Sequence, residues 1–359
     1  MSALVLNRAL IRPTVRDRKA VLLACLGVLL VVISLVALGL GATGVPVSRV
    51  MSIMGDALAG HVLTGGDALI VLQVRLPRLL LGLLIGAALA SSGALMQGLF
   101  RNPLADPGLV GVSAGAALAA AATITLGDRL LVPLIGPLPF SALPIGAFAG
   151  GLLTTLALYA IATRSGRTSI ATMLLAGVAF GALSGAVMGL FAYLSDDRQL
   201  RDLSFWSLGS LSGATWTKVA AVTPLILPTL AAMPFLARGL NALSLGEAEA
   251  FHLGVSVQRV KVLAILLVAV AVGASVACAG MIGFVGIVVP HVLRLVGGAD
   301  HRMLLPASAL LGAGLLVAAD TVARIIAAPA ELPIGILTAA IGAPFFLWLL
   351  LRRPGGLTL

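Results

Sequence analysis

AVLLACLGVLLVVISLVALGLGA, residues 20–42, is a 23-residue apolar run that follows a basic stretch carrying Arg8, Arg12, Arg16, Arg18 and Lys19. A secretory signal has an apolar region of roughly 7–15 residues. A helix rising about 1.5 Å per residue needs ~20 residues to cross about 30 Å of hydrocarbon. The run therefore reads as a retained first membrane span, with residues 1–19 a cytoplasmic N-terminal segment.

The rest of the chain supports that reading. Of 359 residues 60% are apolar and 10% charged, with mean hydropathy +1.14. A water-soluble fold must coat itself with polar groups, and there are too few here to do so. Soluble enzyme, disordered chain and nucleic-acid binder are excluded. Aromatics are only 4%, and alternating ten-residue segments are absent, which disfavours an outer-membrane barrel. The fold class is an all-α polytopic membrane protein.

Further apolar runs lie at 79–99, 108–127, 141–163, 170–193, 217–237, 262–281, 282–293, 303–320 and 333–351. The seventh and eighth spans are nearly continuous, and Gly280, Gly283 and Gly286 mark the expected break. With both termini cytoplasmic the span count is even, giving ten. Fifteen of the 23 basic residues then lie inside, and eight (Arg49, Arg75, Arg78, Arg129, Arg198, Arg201, Lys218 and Arg324) outside. That bias follows the positive-inside rule and accounts for the net charge of +10. Gly177, Gly181, Gly185 and Gly189 form a smooth stripe, and Gly82/Gly86, Gly111/Gly115 and Gly146/Gly150 form shorter ones, all suited to close helix packing.

Familiar catalytic chemistry is missing. No lysine sits in a phosphate-binding GxxxxGK[ST] loop. His61, His252, His291 and His301 are far apart, and Cys25 and Cys278 lie singly in apolar runs, so no metal site is expected. Acids are nearly confined to loops, which disfavours an ion-coupled carrier. The chain reads as a conduit whose energy comes from elsewhere.

Three polar features stand out. In RGLNALSLGEAEAFHLGVSVQRVK (238–261), Ser244 and Glu247 have capping-box spacing, and a short helix ended by Gly254 is expected. It is either an ordinary loop or a helix that docks a soluble partner. Arg75, Arg78 and Arg324 run against the charge bias, either as interface anchors or as a dock for an acidic partner or anion. In SDDRQLRDLSFWSLGSLSGATW (195–216), Arg198 and Arg201 share a helical face. This segment is either a surface helix with an Asp197–Arg201 pair or the border of a pathway mouth.

Five blocks carry a resemblance: RLPRLLLGLLIGAALASSGALMQGLFRNPLADPGLVGVSAGAALA (75–119), LLAGVAFGAL (174–183), LNALSLGEAEAFHLGV (240–255), GMIGFVGIVVPHVLRLVGGADHRMLLPASALLGAGLLVAADTVAR (280–324) and ELPIGILTAAIGAPFFLWLL (331–350). With them the chain resembles the FecCD-type permeases, membrane subunits of bacterial ATP-binding-cassette importers for vitamin B12, ferric siderophores and haem. The resemblance implies one permease domain over 1–359 with ten spans and a vitamin-B12-permease-like fold. It also implies a homodimer in the bacterial inner membrane, two cytoplasmic ATPase subunits and a periplasmic binding protein.

Residue roles follow from the same resemblance. Arg75, Arg78 and Arg324 are expected to dock the binding protein. Leu245, Gly246, Glu247, Ala250, Leu253 and Gly254 are expected to contact the ATPase. No cofactor is expected in this chain, and ATP is used by the partner. The 199–216 stretch looks most like the haem branch, where Arg198 or Arg201 would meet propionates. Ser169, Ile170 and Ala171, after Thr168, stand at the expected cytoplasmic gate. Their Ile-Ala pair departs from the hydroxyl-rich run of vitamin B12 permeases. A ferric-siderophore or cobalamin permease is the alternative within the family, and an ion-coupled secondary transporter the alternative outside it.

Overall fold

The computed structural model describes residues 15–41, 44–61, 65–127, 142–328 and 330–351. Arg8, Arg12, Arg129, Arg352 and Arg353, which entered the charge count, lie outside the described residues. Helix α1 (Val15–Gly39) is followed by α2 (Val47–Leu58), α3 (Gly66–Leu99), α4 (Val112–Leu126) and α5 (Ala142–Ala162). A small hairpin, β1 (Thr163–Arg164) and β2 (Arg167–Thr168), leads to α6 (Ile170–Leu194) and α7 (Asp197–Leu208). Then come α8 (Trp216–Leu243), α9 (Glu247–His252), α10 (Val257–Ala279), α11 (Val285–Gly297), α12 (His301–Ile326) and α13 (Ile334–Leu351).

Helices α1, α3, α5, α6, α8, α10 and α12 are long and apolar enough to cross a membrane, and α4, α11 and α13 are shorter apolar helices. Together they match the ten predicted runs in order. One boundary differs: α3 starts at Gly66 rather than near 79 and passes through a π-helical turn at Ile70–Arg75. Arg75 and Arg78 consequently sit inside a helix instead of ahead of one. The short helix α2 was not expected; it buries Val50 and Ile53 against Val71, Leu79 and Val317.

Helix α3 is the axis of the bundle, buried along nearly its whole apolar length. Small residues permit this. A Cβ on Gly86 would overlap the Gly312 carbonyl of α12, and one on Gly93 would overlap Gly286 of α11. Gly115 of α4 and Gly150 of α5 meet in the same way. In lipid, where apolar burial does not favour helix contact over lipid contact, such close backbone approach supplies the association energy.

The long glycine stripe corrects the packing expectation. Gly177 lies under the Leu109 carbonyl, but at Gly181, Gly185 and Gly189 an added Cβ would meet none of the described residues within 4 Å. Helix α6 lies at the edge of the bundle, with Leu175, Val178, Leu183 and Leu190 exposed beside the glycines. The break between the seventh and eighth spans is as expected: α10 ends at Gly280 (φ +71°), and α11 begins after Phe284 (φ +67°). The Phe284 side chain fills the room that glycine leaves at Gly342 of α13.

Candidate functional site

The polar residues collect at the two ends of α12, which at 26 residues spans about 39 Å. At its start, His301 accepts a place beside Asn241 of α8, whose side-chain oxygen takes the His301 backbone N–H at 2.9 Å. Asp300 caps α12 through the Arg302 N–H and also receives Asn241 Nδ2 at 2.8 Å and Lys19 Nζ at 2.6 Å. The foot of α1, the end of α8 and the start of α12 are thus tied together. Burial alone would raise the Asp300 pKa, but the bonds from Lys19, Asn241 and Arg302 outweigh it and hold the carboxyl at about 2.

At the far end of α12, the three arginines expected to dock a partner come together. Arg78 forks onto Asp320, with Nε and Nη2 2.9–3.1 Å from the carboxylate oxygens, and its Nη1 reaches Glu331 at 2.9 Å. Arg324 pairs with Asp320 at 3.2 Å, one helical turn away, and donates to the Ala37 and Leu40 carbonyls. Arg75 donates to the Leu38 and Gly39 carbonyls at 2.6 and 2.9 Å, satisfying the orphan C-terminal carbonyls of α1. Arg75 and Arg78 are only 5% and 7% exposed. These residues therefore do not snorkel to the headgroups, which corrects the anchoring alternative. Asp320 and Glu331 were not recognised as their partners. The i,i+4 spacing of Asp320 and Arg324 was the available signal.

The α9 region lies at the other end. Gly246 (φ +134°) and Gly254 (φ +78°) bracket the six-residue helix. Gly254 donates to Phe251 O and Val255 to Ala250 O, a Schellman stop as expected. The predicted Ser244–Glu247 capping box does not form. Ser244 instead donates to Asn241 O, Gly246 takes the N-cap position, and Glu247 turns inward to Lys261 at 2.7 Å. Ala250 is fully buried against the bundle, whereas Leu245, Phe251 and Leu253 are all more than 60% exposed. Three large apolar side chains thus crown a short helix outside the bundle.

Beside α9 stands the hairpin, which the sequence reading missed. Ser165 (φ +50°) and Gly166 (φ +74°) form a two-residue turn with both central residues left-handed, the geometry that suits strand twist. The Ser-Gly pair was the visible signal. Its second strand hands the chain to Ser169, which caps α6 by accepting the Thr172 N–H. Ser169 and Ala171 are exposed and Ile170 half-buried.

At the opposite end of α6, Asp196 and Gln199 make a full capping box that starts α7, and Gln199 also donates to Thr125 O. Arg198 and Arg201 are both exposed. Among the described residues no ion pair joins Asp197 to Arg201, so the expected i,i+4 pair is absent.

Residues 29–352 match the model of the FecCD transport family. The chain is 45% identical over 346 residues to the hemin transport system permease protein HmuU of Yersinia pestis, covering 94% of this chain and 97% of that protein. It is 50% identical over 284 residues to the cobalamin import system permease protein BtuC of Halobacterium salinarum, covering 79% and 74%. A solved structure assigned as a metal-chelate type ABC transporter, in an inward-facing conformation, superposes with a TM-score of 0.80 at 33% identity. It covers 93% of this chain and all of that one.

Proposed function

The chain belongs to the FecCD transport family and is a permease subunit of an ATP-binding-cassette importer, and we propose that its cargo is haem. The near full-length match to a hemin permease carries this reading. Exposed Arg198 and Arg201 at one end of α6 support it, because haem is flat and apolar with two propionates and arginine forks suit carboxylates. At the other end of α6 the expected gate is Ser169, Ile170 and Ala171, a mostly apolar passage.

The working assembly in this reading is a homodimer about a central pathway, with both termini cytoplasmic and the bilayer the bacterial inner membrane. The unpacked glycine face of α6 supports a second copy there, since none of the described residues covers it. The α9 end meets a separate ATPase subunit through Leu245 and Leu253, with Gly246 and Gly254 setting the turns and Glu247 and Ala250 holding the helix to the bundle. ATP is used by that partner, and this chain holds no cofactor of its own.

The arginine end meets the substrate-binding protein. Since Arg75, Arg78 and Arg324 already have partners, docking proceeds by exchange. Glu331, 44% exposed at its side chain, yields Arg78 to an incoming carboxylate.

A cobalamin cargo is the second reading, favoured by the 50% identity to the Halobacterium salinarum permease. Reconstitution with the ATPase and the binding protein separates them. Haem-loaded binding protein is expected to stimulate ATP hydrolysis; stimulation by cobalamin or a ferric siderophore alone would overturn the haem reading.

A further inference from the structure

Lys261 is one of three lysines in the chain and is only 4% exposed. Its ammonium lies 2.7 and 2.8 Å from the two Glu247 oxygens of α9 and 3.0 Å from the Thr168 carbonyl of β2. One turn earlier on α10, Gln258 accepts the Thr168 N–H at 3.1 Å and donates to Thr168 Oγ1 at 2.6 Å and to the Tyr159 hydroxyl at 3.2 Å. All three polar groups of Thr168 are therefore held by α10. The next residue, Ser169, caps α6.

One carboxylate is enough to pair a buried lysine. The second bond, to a carbonyl on another element, makes Lys261 a junction of three elements. Among the described residues, no other side-chain hydrogen bond joins α9 to the hairpin or to α10. A buried ammonium is costly to leave unpaired, so a displacement of Glu247 is transmitted to Lys261 and hence to Thr168 and the first turn of α6.

We propose that Lys261, with Gln258, is a positioning pair that relays movement of α9 to the start of α6 and so couples ATP use to opening of the passage. The relay rests on the reading of α9 as the ATPase-contacting helix. It touches neither cargo nor nucleotide.

The test uses the full permease assembled with its ATPase and binding protein in proteoliposomes, comparing parent, Lys261→Met, Lys261→Arg and Gln258→Ala. Basal ATP hydrolysis and cargo delivered per ATP are both measured. Lys261→Met is expected to keep basal hydrolysis within twofold while cargo per ATP falls at least tenfold. Lys261→Arg, which retains a cation able to donate to both acceptors, is expected to recover to within threefold of the parent. Should Lys261→Met fail to assemble, Gln258→Ala decides, with the same tenfold loss expected. Cargo per ATP within twofold of the parent in the deciding variant overturns the relay. An arginine variant as impaired as the methionine one, or failure of both Lys261→Met and Gln258→Ala to assemble, also overturns it. A parent chain that does not bind the ATPase overturns instead the reading of α9.

Discussion

Arg78 and Asp320, 242 residues apart in the chain, form a bidentate pair buried to 8% and 6% side-chain exposure. The pair fastens the axial helix α3 to α12, and Glu331 completes it from the edge. A group expected to serve an outside partner is thus also an internal fastening.

Removing one member of a buried pair leaves an uncompensated charge, which costs about 3–5 kcal/mol. Asp320→Asn is expected to lower the unfolding midpoint in detergent accordingly. Glu331→Gln removes a half-exposed partner and is expected to cost under about 1 kcal/mol. The same Glu331→Gln change is expected to tighten binding-protein affinity severalfold, because the neutral amide competes less well than a carboxylate for Arg78. Weaker binding by surface plasmon resonance would contradict docking by exchange.

At the opposite end, Leu253→Asp alters an exposed side chain. Stability is expected to shift by no more than about 0.5 kcal/mol, as for surface substitutions, while co-purification of the ATPase falls at least tenfold. Undiminished co-purification would remove the α9 crown from the interface.

Two glycines separate fold from assembly. Gly86→Leu drives a side chain into the Gly312 backbone and is expected to prevent folding or to cost several kcal/mol, about 3 or more. Gly185→Leu meets none of the described residues, so the folded protomer is expected to survive while the dimer is lost. Light scattering on the purified detergent complex reads both outcomes.

Asp300 gives a pH signature. Its pKa is held at about 2, below the ordinary carboxylate value of about 3.9. A group depressed on folding stabilises above its unfolded pKa, and that contribution disappears as pH falls through the folded one. Asp300→Asn is expected to cost about 1 kcal/mol at neutral pH, since the pair with Lys19 is one-third exposed and solvent-screened. The gap between variant and parent should close as pH falls from about 4 towards 2. A gap that persists there would assign the effect to packing.

The spans were legible because hydrocarbon demands long apolar helices, and even the break at Gly280 was marked by its glycines. The start of α3 was not, since Gly66–Arg75 mixes polar and apolar residues and is held helical by contacts with α1 and α2. Arg75, Arg78 and Arg324 were visible as charges on the wrong side of a topology rule. The pairing of Arg78 with Asp320 and Glu331 joins residues more than 200 apart, which no local pattern encodes, whereas only the Asp320–Arg324 spacing of four was there to be read. Glu247 illustrates the same limit. Local spacing offered Ser244 as its partner, yet the buried ammonium of Lys261, 14 residues on, is the stronger attraction. The hairpin at 163–168 hid behind a single Ser-Gly pair between two apolar runs.

This permease is expected to pass haem using energy from a separate ATPase. The most direct test is ATP hydrolysis by the reconstituted permease and ATPase with binding protein loaded in turn with haem, ferric siderophore and cobalamin. Severalfold stimulation by the haem-loaded protein is expected, with haem accumulating in the vesicle compartment that corresponds to the cytoplasm. Uptake without the ATPase, driven by a proton gradient, would contradict it.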